Sequence, residues 1–219
     1  MIFLLLLFLF ISSFVLFITS RHDFVLLRQN ISIRQIFDRA LVIMLVSLIF
    51  SRAFYLIDER QFDVFLNPLR FLHIGIFWGF NYFSIFVGAL VGVFIFFRKR
   101  KNALKILDIY TLSFYPLLIF EFVSYLLLNS YNLLVILPHL VLVIILFGLF
   151  IKIYTGFGIK DGVVSFLILI LASALYLSMS FFKSGALLLY SPIQIVAGMV
   201  IALSIYFLVL IKLDYFNEK

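Results

Sequence analysis

Cysteine is absent from this sequence. That absence excludes disulfides, thiolate nucleophiles and Cys-ligated metals. Charge is almost as scarce, with only 12% of the 219 residues charged, against 66% hydrophobic and a mean hydropathy of +1.26. A soluble domain of this length needs far more polar surface. Proline and glycine number only 4 and 10, too few for a low-complexity linker or a loop-rich fold. The first 19 residues lack both a basic leading segment and a small-residue cleavage site, so they read as a first spanning helix and not as a cleaved leader.

What remains is one apolar run after another, each close to the roughly 20 residues that cross a bilayer as a helix. The runs fall at 1–19, 39–57, 80–97, 106–128, 133–154, 162–182 and 187–212. They predict an all-α integral membrane bundle of about seven helices, forming a single domain over 1–219. The formal net charge of +7 does not describe a nucleic-acid groove, because the basic residues sit in short connections between apolar runs. Thirteen lie in the segments after runs one, three and five and in the tail, and three (Arg60, Arg70 and Lys183) lie on the other side. Basic residues accumulate on the cytoplasmic face. This asymmetry predicts an N-terminus outside and a C-terminus in the cytoplasm.

Two connections are long. Residues 20–38 mix charge with apolar positions and predict a short amphipathic helix on the inner side, with Ser32 and Gln35 spaced as a capping box. Residues 58–79, with Arg70, His73 and Trp78 among apolar neighbours, predict an outer arm lying in the interface or a loop anchored by the tryptophan.

Polar residues inside a bilayer are costly and face the bundle interior. Arg52, Glu121, His139, Tyr176 and Gln194 each fall five to seven residues from the outer end of their run, about 8–11 Å deep at 1.5 Å per residue. Glu121 is too short to reach the headgroups, and Arg52 at the same depth is its expected ion-pair partner. Pro138 is expected to open the fifth helix, with His139 just inside it. His139 has no second histidine on its helix face, so no metal is expected, and no Gly-rich phosphate loop points to a cofactor. The mid-depths of most runs are Leu, Ile, Val and Phe, which argues against a transporter with broken helices at its centre. Lys212, at the inner end of the last run, argues against a buried Schiff-base lysine.

The order of these features resembles the bacterial phosphatidylglycerol–prolipoprotein diacylglyceryl transferases. The resemblance is carried by Ser51-Arg52-Ala53-Phe54-Tyr55 at the end of the second run, by FLNPLRFLHIGIFWGF in the outer arm, and by GALVGVFIFFRKRKNALKILDIY. LPHL and SPIQIVAGMVI complete it. It implies a multi-pass protein of the bacterial cytoplasmic membrane that binds phosphatidylglycerol and prolipoprotein signal peptides. The implied reaction moves a diacylglyceryl group to a lipobox cysteine without a cofactor. In a catalytic version of this chain, His139 and Glu121 serve acid–base chemistry, while Arg52, Tyr176 and Gln194 bind substrate.

The signature positions of that family are largely replaced, however. Phe83 stands where the family has a histidine, and Phe122 and Tyr125 stand where it has an arginine and an asparagine. The resemblance together with these losses implies a divergent, non-catalytic relative that binds a lipid or a lipoprotein signal helix. An active transferase with a rearranged site and a small transporter or channel subunit are the alternatives.

Overall fold

A computed structural model describes residues 2–22, 32–58, 60–61, 63–64, 67, 71, 82–97, 103–127, 132–156, 159–184 and 191–213. The described residues form an all-α bundle: α1 (Ile2–His22), α2 (Ile33–Asp58), α3 (Tyr82–Phe97), α4 (Ala103–Phe114), α5 (Pro116–Leu127), α6 (Leu133–Gly156), α7 (Val163–Ser184) and α8 (Pro192–Lys212). With α4 and α5 counted as one broken rod, these coincide with the seven apolar runs. Five of the rods are long and apolar enough to cross a membrane. Two shorter apolar helical stretches, Leu9–Arg21 in α1 and Phe83–Phe96 in α3, accompany them.

The broken rod is the centre of the bundle. Of its most apolar stretch 83% is buried, against 17% for that of α6. It therefore carries the polar residues that must be kept from lipid, while α6 turns Leu134, Ile144 and Ile145 outward. The run at 106–128 was expected to be continuous, yet the rod breaks at Tyr115, near its middle. Pro116 has no amide hydrogen and its ring disfavours a helical residue before it, so Tyr115 adopts a turn and bonds back to Leu112. The break is filled, because Tyr115 Oη donates to the Val143 carbonyl at 3.0 Å and its ring stacks on Phe147 at 5.1 Å.

Two expectations about helix starts are corrected. Ser32 does act as a cap, its hydroxyl accepting from the Gln35 amide at 3.3 Å, but the helix it starts is the spanning helix itself. The first turns of α2 thus take up residues 33–38; most of the remaining segment expected to be amphipathic lies outside the described residues. Pro138 sits within α6, which begins at Leu133 with Asn132 Oδ1 accepting from the Leu134 amide. Of the expected outer arm, most lies outside the described residues, including Arg70, His73 and Trp78. The described part leaves α2 through Arg60, whose φ of 56° is a left-handed stop, and Gln61 bonds back to Leu56.

α2 and α3 form the closest pair of rods. Gly88 and Gly92, four residues apart on α3, let the backbones approach, as small residues at that spacing do in lipid. A Cβ at Gly88 would lie 2.8 Å from Ser47 Cα and 2.8 Å from Phe50 Cβ, whereas one at Gly148 on α6 would meet nothing within 4 Å. Gly88→Val is therefore expected to destabilise the detergent-solubilised protein by about 1–3 kcal/mol through overpacking. Gly148→Ala should leave the thermal midpoint unchanged or slightly raised, because alanine is the better helix former. Thermal unfolding of the two variants side by side measures both.

Candidate functional site

Two buried carboxylates lie on the central rod, one on each side of its break. Asp108 on α4 is 2% exposed and accepts three hydrogen bonds from the start of α7: from Gly162 N at 2.7 Å, Ser165 N at 2.8 Å and Ser165 Oγ at 2.5 Å. The first amides of a helix lack partners within it. A serine or aspartate just before the helix normally supplies the acceptor, and here a side chain from another helix does so. Gly162 permits this contact, since its φ of 91° suits glycine and a Cβ there would press on Leu104 and Ile211 at 3.2 Å. Around the clamp, Lys105 pairs with Asp161 at 3.8 Å and lies 4.6 Å over the Tyr154 ring. Lys160 Nζ donates to the carbonyls of Ile211 and Lys212, capping the end of α8.

Glu121, on α5, belongs to the layer of five polar residues anticipated from the sequence. The ion pair expected between Glu121 and Arg52 does not form. The Glu121 carboxylate accepts from Tyr125 Oη, one turn along the same helix, at 2.9 Å. Arg52 Nε donates instead to the Phe71 carbonyl of the outer arm at 3.3 Å, and its guanidinium lies 5.7 Å from the centre of the Tyr55 ring. Arginine carries five donors in a rigid fork that suits carbonyl oxygens as well as carboxylates. The Phe71 carbonyl supplies one such oxygen, which a reading of helices alone does not reveal.

The other three members are held through α7. His139 Nδ1 lies 2.7 Å from the Val135 carbonyl and Nε2 lies 3.0 Å from Ser178 Oγ, with the imidazole between Phe122 and Phe182. Tyr176 stacks on Phe83 at 5.0 Å. Gln194 forms a full capping box with Ser191 at the start of α8, and its side-chain amide donates to Ser180. It thus stands at the third position of its helix, shallower than the run beginning at 187 implied. The structure gives these residues partners that the sequence did not name. It joins His139 to Ser178 and Gln194 to Ser180, two serines that the sequence reading passed over. Their signal was the sequence Ser178-Met179-Ser180 in an otherwise apolar run.

A small cleft of about 40 Å³ lies between α1 and α2, with the end of α4 as its floor. Leu9, Ser12, Leu16, Ala40, Met44 and Ser113 line it. Ser12 Oγ is buried there with no hydrogen-bond partner. Among the described residues, no cluster of three His, Asp or Glu side chains could hold a metal ion.

Comparison with known proteins returned no matching family model, no curated relative and no solved structure of similar fold.

Three substitutions probe these carboxylates. Asp108→Ala strands three donors, each costing about 1–3 kcal/mol when buried, and is expected to lower stability by about 3 kcal/mol or more, with Asp108→Asn intermediate. Glu121→Gln keeps an acceptor for Tyr125 and removes no ion pair, so its thermal midpoint should stay within about 2 °C of the parent protein's, a shift of at most about 1 kcal/mol. Differential scanning fluorimetry in detergent reads all three, and a large loss in Glu121→Gln would restore the case for a cationic partner.

Proposed function

We propose that this chain is a divergent relative of the diacylglyceryl transferases that binds a membrane phospholipid without performing the diacylglyceryl transfer. The observation that carries the binding half is the cleft between α1 and α2. Its volume is about 40 Å³, its walls are methylene, methyl and aromatic groups, and its few polar atoms are hydroxyls. Such a slot suits a short methylene segment of an acyl chain.

The second half rests on the partners that the reactive groups already hold. A departing glycerol phosphate needs cationic clamps, and a thiol nucleophile needs a base beside it. Arg52 is engaged with the arm, Glu121 with Tyr125 and His139 with Ser178. Phe83, at the position where the transferases carry a histidine, is fully buried under Tyr176. Phosphatidylglycerol and the signal helix of a prolipoprotein are the ligands the resemblance suggests. The loop charges support an outside N-terminus and a cytoplasmic C-terminus in a bacterial cytoplasmic membrane.

Native mass spectrometry of the purified protein should show retained phospholipid, and Ala40→Trp, which fills the cleft, should release it. Incubation with phosphatidylglycerol and a lipobox peptide should give no diacylglyceryl-peptide. Product that disappears in His139→Ala would establish the transferase instead. Orientation is open to a separate check because the chain has no cysteine of its own. A membrane-impermeant thiol reagent should label Asn132→Cys on intact cells and leave Lys152→Cys unlabelled until the cells are broken.

A further inference from the structure

Serines and threonines inside helices normally return their hydroxyl hydrogen to the carbonyl four residues earlier. This protein follows that habit at Ser13, Thr19, Ser47, Ser113 and Thr155. Ser178 departs from it. Its hydroxyl is directed across to α6, where it meets His139 Nε2 at 3.0 Å.

The direction of that bond follows from the other ring nitrogen. A carbonyl oxygen can only accept, so His139 Nδ1, 2.7 Å from the Val135 carbonyl, carries the hydrogen. The neutral imidazole then presents a lone pair at Nε2, and Ser178 must be the donor. A nucleophile is thus hydrogen-bonded to a base, and the base is oriented by a third group. That is the constellation by which a serine hydroxyl is activated. Phe122 stacks on the imidazole and Phe182 meets it edge-on, which holds the ring plane in place.

The pair is also reachable from the bilayer. Both residues are half-buried, and Phe182 beside them is 60% exposed. His139 stands six residues from the first residue of α6 and Ser178 six from the last residue of the antiparallel α7, each about 9 Å in. The dyad therefore lies in one leaflet, below the level of the lipid glycerol esters and within reach of an ester drawn down along α6 and α7.

We propose that Ser178 and His139 form a serine–histidine dyad that acts on the acyl ester of a membrane lipid. Ser178 Oγ attacks the ester carbonyl carbon as its proton passes to His139 Nε2. The ester C–O bond breaks, and the leaving glycerol oxygen takes that proton to become an alcohol. Water, deprotonated by the same imidazole, then releases the fatty acid from the acyl-serine and restores both side chains. This goes beyond lipid binding and does not draw its substrate from the cleft between α1 and α2.

A fluorophosphonate probe tests the dyad directly, since it attaches covalently to an activated serine. The intact protein in detergent is expected to carry one adduct on Ser178, located by peptide mass spectrometry and absent in Ser178→Ala. His139→Gln can still accept a hydrogen bond but cannot take up the proton, and should label at least about 100-fold more slowly with an unchanged thermal midpoint. Vesicles containing phosphatidylglycerol labelled on one acyl chain should yield free fatty acid and lysolipid. An unreactive Ser178, or equal labelling in His139→Gln, overturns the dyad, as does labelling without any ester cleavage in the vesicles. Phospholipid retained in native mass spectrometry alongside an unreactive Ser178 leaves the binding reading intact. Labelling and cleavage in a protein that retains no lipid would overturn the cleft and keep the dyad.

Discussion

The carboxylate of Asp108 receives the first amides of α7, and much of the bundle's geometry follows from that contact. A helix that begins beneath neighbouring helices cannot leave its amides to water, and in a bilayer no solvent is available deeper in to replace it. Asp108 supplies the acceptors from the central rod, and so fixes where α7 starts along the membrane normal. About 20 Å further along α7, Ser178 and Ser180 reach α6 and α8 at heights set by that starting point. A slip of one turn in α7 would move Ser178 about 5 Å from His139 and break the bond.

The same economy governs the other polar groups. Buried polar atoms in low dielectric are strongly stabilising when satisfied and costly when not. Tyr110 donates to the Ile36 carbonyl, Tyr115 to the Val143 carbonyl and Lys160 to the end of α8. Tyr110 and Tyr115 each link two rods through a backbone acceptor, and Lys160 ties the turn before α7 to the end of α8, so the bundle is held at one end and at the break. Between these ties the contacts are apolar, and close approach depends on small residues such as Gly88 and Gly92.

Most of the fold was legible from the sequence. The seven apolar runs coincide with the observed rods, because about 20 apolar residues in succession have few other ways to satisfy their backbone in a membrane. The break at Tyr115 was also written there, in Pro116, yet a hydropathy pattern passes over a proline flanked by Leu and Phe. The candidate site was legible only in part. Depth along each helix marked His139, Glu121 and Arg52 as unusual, and all three make specific polar contacts. Equal depth did not identify the partners, because it says nothing about which face of a helix looks at which neighbour. Glu121 found Tyr125 on its own helix, and Arg52 found a backbone carbonyl in the arm.

The sequence by itself determined the class of molecule: apolar helices in order, basic residues concentrated in alternate connections, and no thiol chemistry. These are properties of composition and linear spacing, and no packing can reverse them. Tertiary structure alone decided which helices touch, that Asp108 caps a helix 54 residues away, and that Ser178 meets His139 across 39 residues. Such contacts depend on rotation about each helix axis and on the height at which each helix starts. Neither quantity is encoded in a run of Leu, Ile and Phe that is apolar all the way round.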